Sequence, residues 1–304
     1  MVGCRCCRLP TAHCPLLMPD LQAAETFIWL TARLIDRHRY AYLFKGGDAG
    51  QVLAALRPYQ NPDGGFGNGF EPDLRAPISQ PLPVWSALEM LDEIDGFDDP
   101  MVSRACDYLA AITTADGGVP FVLPSARAYP RAPWWEAEDD PPGSLLPTAG
   151  LAALLYKHRV NHPWLLRASE FCWHRIEALE ATNPYEMRMI LPFLEHAPDR
   201  ARADQAFARI APKIFDQELV ALDPRAPGEV HTPLNFAPRP DSLARQLFAD
   251  EVIESHLNAL VDAQGDDGGW SFNWQAWNPA TTLEWRAWVT IDALKTLRAY
   301  GRLA

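Results

Sequence analysis

The chain writes one phrase twice. Gln60–Phe66 reads QNPDGGF and Gln264–Trp270 reads QGDDGGW, each preceded four residues earlier by a leucine, Leu56 or Leu260. A weaker third copy places Leu109, Thr113, Asp116, Gly117, Gly118 and Val119 at the same spacing. The Asp positions, 63, 116 and 267, fit a unit of about fifty residues with some copies worn away. An internal repeat of that size restricts a chain to a few stacked or closed architectures.

The segments between the copies read as helices. Residues 21–44 carry apolar side chains at three- and four-residue steps (Ala24, Phe27, Ile28, Leu34, Ile35), which predicts one long helix. Similar patterns follow through to residue 301, among them 240–263 and 281–301. Pro83, Pro100, Pro163 and Pro184 stand near helix starts, where a missing N–H is harmless, and Asp99 and Asp199 suit caps. Strand alternation is confined to a short extended stretch near Val119–Leu123. Two helices and two loops per unit make a helical hairpin, and such hairpins bury a continuous core only as a solenoid or a ring.

The glycine phrase itself predicts a clasp. A helix ends near Gln60, Asp63 bonds into the following turn, and the glycines take backbone conformations closed to other residues. The aromatic then packs back on the Gln and the next helix. On this reading Gln60, Phe66, Gln264 and Trp270 are scaffold.

Gln, a short spacer, Gly and an aromatic after a helix resembles the QW repeat of terpenoid cyclases, and the same hairpin builds the β subunits of protein prenyltransferases. The resemblance implies an all-α fold, an α/α toroid of inner and outer helices, as a single domain over residues 19–304. The phrase NPDGGFGNGFEPDLR, with EWRAWVTIDALKTLRAYGRL, is also similar to a bacterial subgroup of toroid proteins of about this length. Residues 1–18, with Cys4, Cys6, Cys7 and Cys14, read as a disordered leader, because no second Cys/His pair offers zinc-finger spacing. Cys106 and Cys172 fall within helical patterns and are expected as buried free thiols, which suits a reducing cytoplasm.

The net charge of −12 and pI of about 5.1 exclude nucleic acid or an anionic membrane as a bulk partner, since both need a basic face. No apolar run is long enough for a transmembrane helix. The prenyltransferase zinc site requires Asp-x-Cys, and neither Cys106 nor Cys172 has an Asp two residues before it. The magnesium motif D-D-x-x-D is not completed after Asp98-Asp99 or Asp139-Asp140. No metal or cofactor is therefore expected, with Mg2+ needed only if the substrate is a diphosphate.

Class II cyclases protonate an alkene or epoxide with the middle Asp of D-x-D-D ahead of Thr-Ala and a helix. Here Glu136, Glu138, Asp139 and Asp140 are followed, after PPGSLLP, by Thr148-Ala149. The resemblance makes Asp139 the expected acid, with Glu138 and Asp140 beside it and Trp134 and Trp135 as π-faces for a carbocation. The departures are Glu for Asp and the intervening segment, and such a run also suits a solvated loop.

Two further clusters qualify as substrate-binding. FEPDLR gives Glu71, Asp73 and Arg75 directly after a completed clasp and has no counterpart in the other copies. LEWRAW gives Glu284, Trp285 and Arg286 on a helix that should face the core, with Trp274 shortly before it. Charges among aromatics are costly unless paired, so these residues either bond one another or serve a site. His231, in an irregular segment suited to a lid, is a further acid/base candidate. The expected ligand is a small isoprenoid. The competing functions are a carbohydrate-active hydrolase or lyase, using Glu71 with Asp73 or Glu138 with Asp140, and a toroid that binds without catalysis.

Overall fold

The computed structural model describes residues 18–303, so the expected leader lies outside the described residues, apart from Met18. Thirteen helices follow: α1 (Leu21–Thr31), α2 (Leu34–Lys45), α3 (Ala49–Leu56), α4 (Pro81–Glu93), α5 (Pro100–Ile112), α6 (Leu145–Lys157), α7 (Pro163–Glu177), α8 (Pro184–His196), α9 (Arg200–Ile210), α10 (Lys213–Asp216), α11 (Pro233–Phe236), α12 (Asp250–Asp262) and α13 (Pro279–Ala299). One two-stranded antiparallel ribbon pairs β1 (Val119–Pro120) with β2 (Gly143–Ser144).

The helices alternate between two concentric layers. In the inner layer α4 packs on α6, α6 on α8, α8 on α11, and α13 on α2. The Arg39–Glu93 ion pair joins α2 to α4, and the Tyr300 hydroxyl, just past α13, donates to Ala237 O, just past α11. The outer layer comprises α1, α3, α5, α7, α9 and α12, which gives the all-α toroid its inner and outer rings. One continuous apolar core lies between the rings, from Ala24 in α1 to Leu297 in α13. Cys106 and Cys172 are buried free thiols within it.

Each glycine clasp fastens one outer helix to the next. Gly64, Gly117 and Gly268 have φ of 90°, 98° and 88°. They press so closely on a neighbouring helix that a Cβ would lie 2.1 Å from Arg104 O in α5, 2.8 Å from Arg167 O in α7 and 2.2 Å from Ala23 O in α1. The second position of each pair needs glycine for space and not for φ: a Cβ on Gly269 would meet the Phe27 ring at 2.7 Å. The Asp63 and Asp267 carboxylates accept from the second glycine's N–H at 3.0 and 3.2 Å, as an Asp-initiated turn requires. The Gln60 amide donates to Gly64 O and to Met101 O in the first turn of α5, both at 2.9 Å. Gln264 does the same for Gly268 O and Asp20 O, and also accepts from Asp20 N–H. The clasps after α3 and α5 therefore propagate the ring, and the one after α12 closes it on α1.

The helical patterns read from the sequence are interrupted in three places. Residues 21–44 break at Ala32-Arg33, whose extended backbone turns the chain from the outer to the inner ring and sends Arg33 inward. Pro212 ends α9 before α10, since a proline supplies no N–H to continue the ladder. Residues 243–247 form a 3-10 turn, so α12 begins only at Asp250.

Gly268→Ala is expected to lose about 3 kcal/mol or more of stability, because the new methyl meets helix backbone that cannot yield. Gly46→Ala, at φ 67° with open space around it, should lose only about 1 kcal/mol. Thermal melts of the two variants, read by circular dichroism, compare the two effects.

Candidate active site

The sequence Phe70–Arg75 leaves the first clasp and turns into the protein instead of running on to α4. Phe70, Glu71, Asp73 and Leu74 are all buried. Two tethers fix the turn: Arg75 N–H donates to Pro130 O at 3.0 Å and Ala132 N–H to Asp73 O at 2.8 Å. These bonds bring residues 121–137 over the site, with Leu74, Val122, Ala126, Ala132 and Trp135 forming a small separate core beneath the loops. A third tether is ionic. Arg75 grips Glu284 of α13 through both guanidinium nitrogens, at 2.6 and 3.1 Å.

α13 supplies the opposite wall. Asn278 caps it, accepting from Ala280 and Thr281 N–H. Glu284, Trp285 and Trp288 follow on its inner side. Trp274 meets Trp285 edge-on with ring centroids 5.1 Å apart, and Trp285 meets Trp288 at 5.8 Å. Phe70 lies 6.3 Å from Trp288, and the Arg33 guanidinium stands over both rings. Arg33 is itself held by Asp36 at 2.8 Å and by Phe70 O at 2.8 Å.

Within this aromatic frame two carboxyl groups sit two residues apart in different electrostatic settings. Burial, reinforced by the Asp73 charge, pushes Glu71 up to about 8 even though Arg33 pulls the other way. Glu71 is thus protonated at neutral pH. Burial also raises Asp73, but the indole N–H groups of Trp285, Trp277 and Trp134, with Arg75, restrain it. These indoles approach Asp73 without completing bonds: the Nε1 atoms of Trp277 and Trp285 are buried and meet no acceptor in hydrogen-bond geometry. Arg33 Nη2 is also buried without a partner. A buried donor without a partner is costly, and a small shift onto the Asp73 carboxylate would satisfy the two indoles.

The structure gathers Glu71, Asp73, Arg75, Glu284, Trp285, Trp274 and Trp134 from the sequence candidates. It places the others elsewhere. Glu138, Asp139 and Asp140 are exposed, and Asp139 is bound to Arg127, whose hydrogen bond and charge lower its pKa. A carboxyl so placed stays ionised and solvated, the reverse of a stored proton. The segment between the acids and Thr148 lets the run leave the core, while the Thr148 hydroxyl accepts from Val119 N–H beside the ribbon. Trp135 is buried in the small core against Phe121. Arg286 belongs to the closing clasp, where it holds Asp267 at 2.7 and 2.8 Å. His231 is buried between Tyr185 and Phe236, and burial near Arg188 brings it down to about 4, leaving a neutral ring.

Sequence reasoning missed Arg33, Trp277 and Trp288. Trp277 stands in the run WQAWNP just before the α13 cap, where a tryptophan beside a helix start was the available signal. Arg33 was hidden inside an apparently continuous helix.

Among the described residues no group of three or more His, Cys, Asp or Glu is arranged to hold a metal ion, and no helix is long and apolar enough to cross a membrane.

No family model and no curated protein matches the chain. Solved structures do. A protein from Actinoplanes is 17% identical, with 92% of this chain and 88% of that one covered and a TM-score of 0.55. The type II terpene cyclase MstE from Scytonema, in a variant bound to merosterolic acid A as product, is 14% identical, with 91% and 96% covered and a TM-score of 0.55. Its apo form gives 14%, 93%, 98% and 0.53. At such identities the likeness establishes the fold. This protein is a helical toroid, and its fold is similar to that of the type II terpene cyclases.

Two carboxyls that burial raises to about 8, Glu71 and Glu89 of α4, contribute to how stability varies with pH. Glu71 carries its proton in the folded protein up to about 8 but loses it near 4.5 when unfolded. Stability linked to this group is therefore full below about 4.5 and falls as pH rises to about 8. Urea melts across that window should show a decline on the order of a few kcal/mol, shared with Glu89, and Glu71→Gln should flatten its portion.

Proposed function

We propose that the protein is a protonation-initiated cyclase acting on an isoprenoid, with Glu71 as the proton donor. The observation that carries this reading is the protonated Glu71 beside Asp73 in a tryptophan-lined site. Protonating carbon demands an acid that keeps its proton until the substrate arrives and a surround that tolerates a cation afterwards. Burial meets the first demand. The faces of Trp285 and Trp288 and the Asp73 carboxylate meet the second, at roughly 0.5–2 kcal/mol per ring contact.

In this mechanism Glu71 gives its proton to a terminal alkene carbon, whose π electrons form the new C–H bond. The carboxylate left on Glu71 is stabilised by Arg33, which already acts on it electrostatically. The cation is consumed by ring closure through the remaining double bonds, and a final C–H proton is lost to a base. No net oxidation occurs, and the product is an isomer of the substrate. Arg75 and Glu284 position the reacting turn against α13 without touching the substrate.

The fold-level likeness to MstE, whose structures hold a geranylgeranyl dihydroxybenzoate substrate or a merosterolic acid product, supports an isoprenoid ligand. The same pair of buried carboxyls, two residues apart, also fits glycoside hydrolysis, in which an acid and a carboxylate act together.

Purified protein should convert one or more C15–C30 isoprenoids to cyclic isomers detected by mass spectrometry. Glu71→Gln should lower kcat by about 10²-fold or more, and Asp139→Asn should leave it unchanged. Turnover of glycans without turnover of any isoprenoid would transfer the carboxyl pair to sugar chemistry.

A further inference from the structure

The inner ring carries a second cluster of charge away from the Glu71 site, and its charges are not all matched. Arg39 is bound by Asp36 and by both oxygens of Glu93, and Lys295 by Glu93 and Asp292. These pairs hold Glu93 down at about 2, so it stays ionised. Arg188, on the inner helix α8, differs. It is half-buried and makes no hydrogen bond or ion pair among the described residues. A guanidinium cannot relieve burial by giving up its proton, so its charge remains.

The groups facing Arg188 do not cancel it. Glu89, projecting from α4, is held protonated up to about 8 by burial. Asp292 is engaged by Lys295 at 3.4 Å and Arg39 at 3.8 Å. The Tyr185 hydroxyl, one turn earlier on α8, donates to Glu229. His231 is neutral above about 4. Glu89, Arg188 and Lys295 are all crowded by protein yet keep accessible surface, as side chains on a concave wall do. An uncompensated guanidinium beside a neutral carboxylic acid offers N–H and O–H donors together and lacks only an acceptor.

We propose that Arg188, assisted by the Glu89 carboxyl, is a receptor for an anionic oxygen group of a ligand, a carboxylate or a phosphate ester. Its position relative to the first site follows from α13. Trp285 and Asp292 are seven residues apart on that helix, a rise of about 10 Å. A ligand spanning both sites has an apolar body against the tryptophans and an acidic end at Arg188. The inference concerns binding and stands whether or not Glu71 performs catalysis.

The test is calorimetric titration of the full chain with farnesyl diphosphate, farnesoic acid, farnesol and inorganic pyrophosphate. At least one prenyl anion should bind about ten-fold or more tighter than the alcohol, the ratio expected of one charge-assisted contact. Arg188→Gln should abolish that ratio while leaving the affinity for farnesol intact, and Arg188→Lys should restore part of it. The diphosphate and the carboxylate separate the two sources of anion, and pyrophosphate alone measures the head without the tail. Thermal melts keep the test independent of folding. Removing an unpaired, half-buried charge should leave Tm unchanged or raise it, whereas loss of a structural contact would lower it. Equal affinities for wild type and Arg188→Gln, an alcohol bound as tightly as the anions, or no binding of any anion overturns the proposal. Binding of the anions with no turnover of any isoprenoid would defeat the cyclase reading and leave this one standing.

Discussion

The close approach of a glycine to a neighbouring helix is the contact on which the ring depends. A hairpin of two short helices cannot cover its own apolar faces, and each must be held at a fixed separation from the next. Gly64, Gly117 and Gly268 set that separation by touching helix carbonyls with no side chain between them. The Gln60 and Gln264 amides then bond both the turn and the first turn of the next helix, so the loop and the helix start share hydrogen bonds. An outer wall fixed by backbone contacts leaves the inner helices free to vary their facing side chains. Such a division suits a scaffold that hosts a site without being shaped by it.

A second set of interactions ties the inner wall together. Arg33, Asp36 and Arg39 on and before α2 meet Glu93 on α4, which meets Lys295 on α13. The series begins beside Glu71 and ends near Arg188, so both functional proposals lie along one ionic seam. Desolvation makes such a buried series expensive, and full pairing is what keeps it tolerable. Donors left unpaired beside it are informative for the same reason. Arg33 Nη2 and the Trp277 and Trp285 indoles are left open beside the carboxyls, and Arg188 is left open on the opposite wall.

The architecture was legible because a repeated local turn has a fixed cost in sequence. Only glycine can occupy Gly64, Gly117 or Gly268, so Asp-Gly-Gly recurs at all three clasps, while the Gln position holds Thr113 in the second. The Phe70–Arg75 turn was legible as an anomaly, an extension of one clasp absent from the others, and its meeting with Glu284 is one of the two outcomes that the cost of burying charge among aromatics left open. The exposure of Asp139 was not legible. An acidic run before a helix reads alike whether it folds inward or outward, and the direction was decided by Arg127 and by the tethers at Pro130 and Ala132. Arg188 and Glu89 were hidden for a different reason. Each is one charged residue on an otherwise ordinary helix, and only the ring brings them face to face.

The closing clasp joins Gln264 to Asp20 across 244 positions of sequence. On a ribosome, α1 emerges long before the residues that cover it, and its faces toward Gly268 and Gly269 must wait for almost the whole chain. The earlier clasps need wait only for the next hairpin, so the ring can assemble in order and leave a single late seam at α1. The last step of assembly is then also the one that completes the wall carrying Glu284, Trp285 and Trp288. A chain still unclosed has no finished site.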